Sequence, residues 1–115
     1  MYFRKLLVWQ RSRDLSVKVY KESTRIKDFG FKDQLTRSML SVPSNIAEGI
    51  EKDYKKEKIR YLLISKGSIG EFITQVDIGI EAGFIDKITG LEWMKEAEMI
   101  SKMIGKFVQK LKAES

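Results

Sequence analysis

The sequence predicts an all-α protein: one antiparallel four-helix bundle, running up-down-up-down, over residues 1–115. Two observations carry this. Apolar residues recur in alternating steps of three and four through four segments, which turns one face of each helix toward a neighbour at a crossing angle of about 20°. Only three short breaks separate those segments: Lys27-Asp28-Phe29-Gly30, Ile50-Glu51-Lys52-Asp53, and Gly83 to Gly90. Short connections reverse the chain and make consecutive helices neighbours. No internal repeat or composition shift divides the chain, so it reads as a single domain.

The first segment, 7–26, presents Val8, Ser12, Leu15, Val19 and Ile26, with Trp9 and Tyr20 widening the stripe. The second, 32–49, presents Leu35, Met39, Val42, Ile46 and Gly49, with Asp33 placed to begin it and Gly49 to end it. Pro43 lies inside that segment and removes one backbone donor, which predicts a kink between Met39 and Pro43. The third, 55–82, follows Asp53 and carries the clearest heptad: Ile59, Leu62, Lys66, Ile69, Ile73, Val76, Ile80 and Gly83. Lys66 and Gly83 are its weak members, and Lys55 and Lys56 oppose the dipole at its start. Gly67 and Gly70 share one face beside Ser68 and read as a place where another backbone comes close. The fourth, 90–112, presents Met94, Ala97, Ile100 or Ser101, Ile104, Val108 and Leu111, and Thr89 with Glu92 has the spacing of a capping box.

The chain has no histidine and no cysteine. That removes the commonest general base, the commonest metal ligand, and every Ser-His or Cys-His nucleophile pair. Carboxylates remain, yet no clustered aspartates point to a Mg²⁺ site, so no catalytic residue, metal or cofactor is expected. No apolar run approaches the roughly 18 to 20 residues of a membrane span. The first residues break into charge too soon for a secretory signal. The expected setting is the bacterial cytoplasm, with no membrane partner.

Charge is the one compositional feature that points to a partner. The net charge is +6, but it is uneven. Residues 1–60 carry 15 basic and 8 acidic side chains, a net of +7, whereas residues 61–115 carry 7 and 8, a net of −1. A one-sided excess favours a polyanion through counterion release. Arg4, Arg11, Lys18 and Arg25 recur every seven residues, with Lys21 alongside, and read either as a rail for phosphates or as a solvated face. Lys52, Lys55, Lys56, Lys58 and Arg60 form the densest cluster, interleaved with Tyr54 and Tyr61, which have the chemistry to stack on unpaired bases. Asn45 and Glu48 follow Pro43 on one side of the helix and read as structural, serving backbone groups freed by the proline or bonding across a subunit contact. Arg37 and Glu71 are read as a charge pair between the second and third helices. Trp9, Phe72, Phe84, Trp93 and Phe107 read as core or interface residues.

The stretch Ser41-Val42-Pro43-Ser44-Asn45-Ile46-Ala47-Glu48-Gly49 is distinctive. With Leu6, Val8-Trp9-Gln10, Val19-Tyr20, Gln34-Leu35, Arg60, Gly67-Ser68 and Glu71, it resembles the four-helix bundle family of the 23S rRNA intervening-sequence proteins. The resemblance implies a small cytoplasmic bacterial protein, without catalytic residues, that forms a barrel-like homopentamer. A relative that accompanies diversity-generating retroelements binds nucleic acid and a reverse transcriptase, which implies rRNA, another nucleic acid, or a nucleic-acid-processing protein as partner. The turn Ile50-Glu51-Lys52-Asp53 and Gly70 depart from the family pattern, which favours an arginine-rich turn and an alanine-like residue there. The expected function is therefore a non-enzymatic, oligomeric bundle that engages RNA or a ribonucleoprotein by charge and shape. The alternative is a protein-binding scaffold or adaptor with no nucleic-acid role.

Overall fold

The computed structural model describes residues 1–114. A short 3-10 helix, Tyr2–Lys5, precedes four α-helices: α1 Leu7–Ser23, α2 Phe29–Ile50, α3 Lys55–Glu81 and α4 Lys87–Ala113. Among the described residues there is no strand. The molecule is a rod, 49 × 21 × 21 Å.

α1 stops three residues short of the predicted end. The Ser23 and Thr24 hydroxyls donate to the carbonyls of Tyr20 and Lys21, at 2.8 and 2.9 Å. Such local bonds compete with the helical ladder, and the chain leaves α1 through a tightened turn in which the Ile26 N–H donates to the Ser23 carbonyl. Ile26 is nevertheless buried, now from the turn rather than from the helix.

α2 and α4 both begin earlier than predicted. Asp28 caps α2 by accepting from the Phe31 N–H at 2.9 Å, so Asp33 lies inside the first turns. Asp86 caps α4 by accepting from the Thr89 N–H at 3.1 Å, so Thr89 is a capped residue rather than the cap. In each case an aspartate side chain satisfies an orphan donor and outweighs the cost of the glycine that follows, Gly30 or Gly90. α3 starts at Lys55 as predicted, after Tyr54 and without a side-chain cap, and its far end is closed by Gly83 at φ 81°. The Phe84 N–H reaches the Gly79 carbonyl at 2.8 Å and the Gly83 N–H reaches Ile80 at 3.1 Å, the paired bonds of a left-handed glycine stop.

The core is one apolar seam. α3 buries Leu62, Ser65, Ile69, Phe72, Val76 and Gly79. This keeps the predicted alternation of three and four but shifts its phase: Lys66 is exposed and Ser65 takes its place, and Phe72 rather than Ile73 is buried. α4 likewise buries Trp93 rather than Met94, together with Ala97, Ile100, Ile104 and Val108. The Phe72 and Trp93 rings lie 6.4 Å apart between α3 and α4. In α2, Leu35, Met39, Val42 and Ile46 are buried as predicted.

The seam between α2 and α3 is joined by serines. The Ser38 hydroxyl donates to Gln75 Oε1 at 2.7 Å, Ser41 and Ser68 share a bond of 2.8 Å, and the buried Ser65 donates to the Val42 carbonyl at 2.8 Å. The expected Arg37–Glu71 pair is absent. Arg37 and Glu71 are both exposed, and Arg37 turns instead to Asp33 one helical turn away on its own helix, at 2.9 Å.

The glycines divide differently from the prediction. A Cβ on Gly67 or Gly70 would meet nothing within 4 Å, so neither admits a close backbone within the subunit. The tight positions are Gly49, where a Cβ would sit 2.9 Å from Tyr61 Cβ, Gly79, where it would sit 2.6 Å from Ile85 Cδ1, and Gly90, where it would sit 2.6 Å from Ile80 Cδ1.

Candidate nucleic-acid interface

α2 runs from Phe29 to Ile50 with Pro43 buried inside it. Proline has no N–H for the carbonyl four residues earlier, that of Met39. Ser16 of α1 supplies a donor to that carbonyl at 3.3 Å, while also lying 2.9 Å from its own Ser12 carbonyl. Asn45 does not serve the freed group: its Nδ2 donates to the Ser41 carbonyl and hydroxyl, at 2.8 and 2.9 Å. Ser44 donates to the Leu40 carbonyl at 2.9 Å, Glu48 is exposed, and Gly49 lets α3 approach at Tyr61. Apart from the exposed Ser44 and Glu48, the distinctive motif is thus a packing device. It locks the end of α2 against the start of α3.

The basic residues read from the sequence fall into two groups. Those of the first helix do not form a continuous rail. Arg4 belongs to the 3-10 helix and lies over the Trp9 ring at 5.4 Å, while Arg25 lies beyond the end of α1 and pairs with Glu22 at 3.2 Å. Arg11 is half-buried and clasps Glu96 of α4 through two bonds, Nε at 2.9 Å and Nη2 at 2.5 Å. Donation of its hydrogen bonds to the Glu96 carboxylate, more than the charge of Glu96, raises the Arg11 pKa above its ordinary value despite partial burial. A raised pKa means the stabilisation is complete below arginine's ordinary pKa and is lost only as pH rises through the raised one. The clasp therefore holds throughout the neutral range. Only Lys18 and Lys21 remain exposed and unengaged on α1.

The second group converges on one end of the rod. Lys58 Nζ donates to the Ile50 carbonyl at 2.8 Å, closing the C-terminus of α2. Lys55 reaches the Glu114 carbonyl just past α4, Lys56 is exposed, and Lys52 and Arg60 lie over the Tyr61 ring at 5.0 and 5.3 Å. Tyr61 is thereby covered, whereas Tyr54 is exposed.

Sequence reasoning missed what joins them. Lys102, Lys106 and Lys110 are exposed on α4 at steps of four, one helical stripe. The half-chain charge sum concealed them, since acidic residues elsewhere in that half cancel them numerically; their spacing was the signal available. Lys102 and Lys106 line a groove of about 500 Å³ with Lys66, Met99, Met103 and Gly105. Lys106 and Lys110 also line a recess of about 500 Å³ at the end of the rod, shared with Lys58. Its apolar wall includes Leu6, Ile50 and Phe107. The ion pairs of the described residues all use an arginine, so no lysine of this surface has a carboxylate of those residues within 4.0 Å. Such an arrangement attracts phosphates and has no group of three His, Cys, Asp or Glu side chains, among the described residues, that would hold a metal. No helix of the described residues is long and apolar enough to cross a membrane.

A solved structure shares the architecture: a protein with unknown function from the S23 ribosomal protein family of Bacteroides thetaiotaomicron. It superposes with a TM-score of 0.86 at 19% identity, covering 89% of this chain and 98% of that one. At that identity the likeness shows the fold alone. No curated protein matches the chain. The model of the 23S rRNA-intervening sequence proteins matches residues 4–106, which include the packing motif, all but the end of α4, and most of the lysine surface. With that span matched and the four helices in place, the chain belongs to the 23S rRNA-intervening sequence protein family.

Proposed function

We propose that this protein is a non-enzymatic, cytoplasmic RNA-binding bundle that engages rRNA or a ribonucleoprotein through the lysine surface of α3 and α4. The observation that carries the reading is the convergence of Lys55, Lys58, Lys106 and Lys110 on one end of the rod, with no ion pair to a carboxylate of the described residues. The family to which the chain belongs supports RNA as the polyanion. Contacts would go to the phosphate backbone, which fixes position and carries little sequence information. Binding to rRNA fragments across a salt series tests this: tight binding at low salt that weakens steeply with salt is expected. Folded protein that binds no fragment at low salt contradicts it, and nuclease-insensitive recovery of one protein partner would favour a scaffold instead.

The same reading includes up-down-up-down topology, a kink of α2 at Pro43, and self-assembly into a pentamer. The α2–α3 bonds support the topology, since the partners of Ser38, Ser41 and Val42 are Gln75, Ser68 and Ser65, in descending order. Exposed Leu40, Leu63 and Ile64 beside open Gly67 support a contact between copies. Light scattering on the purified protein gives five subunits on this reading, and a monomer contradicts it.

A further inference from the structure

We infer that the recess at the end of the rod seats the base of one unpaired nucleotide while the lysines around it hold the flanking phosphates. The inference rests on the RNA-binding reading and adds to it which form of RNA the site selects.

The lining is of two kinds. Tyr2, Leu6, Ile50, Phe107 and Leu111 give an apolar, partly aromatic floor, and Lys58, Lys106 and Lys110 stand around it. Among the described residues Glu114 is the one carboxylate-bearing residue in the lining, and its backbone carbonyl is engaged by Lys55. A ligand that fits both parts has a flat apolar body and more than one negative group. A duplex shows base edges in its grooves but keeps every base face stacked inside, so no face can lie on the floor. An unpaired strand offers each base as a π-face, and aromatic side chains such as Tyr2 and Phe107 stack on any base without regard to sequence.

The lysine spacing agrees with a strand that continues past the recess. Four residues along a helix rise roughly 6 Å, about one nucleotide step of an extended strand. The stripe Lys110, Lys106, Lys102 therefore leads a backbone from the recess into the neighbouring groove, where Lys66 adds a fourth cation. Lys106 and Met103 line both depressions, so the path between them is unbroken. Tyr2 is 62% exposed and is free to cover a base on its outer side.

The test is fluorescence anisotropy with a labelled oligouridylate of about twelve nucleotides and a duplex RNA of equal length, each over a salt series. The intact protein should bind the single strand more tightly than the duplex. Tyr2→Ala should weaken single-strand binding about tenfold, with the salt slope and duplex binding unchanged. Lys106→Gln with Lys110→Gln should lower the single-strand slope by about 1.4, the loss of two phosphate contacts. Circular dichroism and the urea midpoint should match the parent protein, because all three residues are exposed. Equal binding of both RNAs, or single-strand binding untouched by both variants, overturns the inference while leaving RNA binding intact. Failure of the intact, folded protein to bind either RNA overturns RNA binding itself and this site with it.

Discussion

Two basic rows run along this bundle, one from the 3-10 helix through α1 and one on α4, and their surroundings set them apart. The first is built mainly of arginine and is largely spent inside the subunit: Arg11 on Glu96, Arg25 on Glu22, Arg4 on the Trp9 ring. The second is lysine, and Lys102, Lys106 and Lys110 form no ion pair among the described residues. The chemistry of the side chains accounts for the difference. A planar guanidinium matches a carboxylate with two parallel bonds, whereas an ammonium is a strongly hydrated point charge that stays in water. Equal charges in a sequence are therefore unequal in a structure, and the row that looked like a phosphate rail is partly a clasp between α1 and α4.

The largest expected effect separates the rows by function. Replacing Lys102, Lys106 and Lys110 with glutamine should lower the salt slope of single-strand RNA binding by about 2, and weaken binding at low salt by ten- to a hundredfold. Replacing Lys18 and Lys21 should change affinity by less than about threefold, because no recess or neighbouring lysine acts with them. Anisotropy titrations at matched salt measure both; equal losses would erase the distinction.

A smaller effect separates them by stability. Arg11→Ala leaves Glu96 without its bidentate partner and should destabilise the fold by about 1 kcal/mol, discounted for the one-third exposure of both side chains. Lys106→Ala should stay within about 0.5 kcal/mol of the parent. Urea denaturation measures the two. A double-mutant cycle on Arg11 and Glu96 should show coupling, while one on Arg37 and Glu71 should show none.

The glycines give the smallest contrast. Gly67→Ala should stabilise an isolated subunit by up to about 1 kcal/mol, since the site is open and alanine favours helix. Gly90→Ala should be neutral to destabilising by about 1 kcal/mol, because its Cβ meets the Ile80 side chain and forces it aside. If copies pack on the Gly67 face, Gly67→Ala should also weaken their association, which light scattering detects.

The four helices were legible because a three-four alternation survives errors of phase. The phase itself was not. Lys66 fits a strict heptad, but a straight helix of 3.6 residues per turn drifts against one, and Ser65 rotates inward in its place. The caps were overlooked for a related reason: Gly30 and Gly90 looked like breaks, and only the bonds to Asp28 and Asp86 show that the helix has already begun. The cluster from Lys52 to Arg60 was visible as a run of charge. Its partner stripe on α4 was hidden because it joins that run only when the chain folds back along the rod. The destination of the Met39 carbonyl, on Ser16, is a tertiary contact with no local signature.

Lysine acetylation footprinting of the intact protein, with and without saturating single-stranded RNA, reports which of the two basic rows meets the strand. Protection of Lys102, Lys106 and Lys110, with Lys18 and Lys21 modified equally in both states, is the predicted outcome. Protection of Lys18 and Lys21 with the α4 lysines left reactive would contradict it.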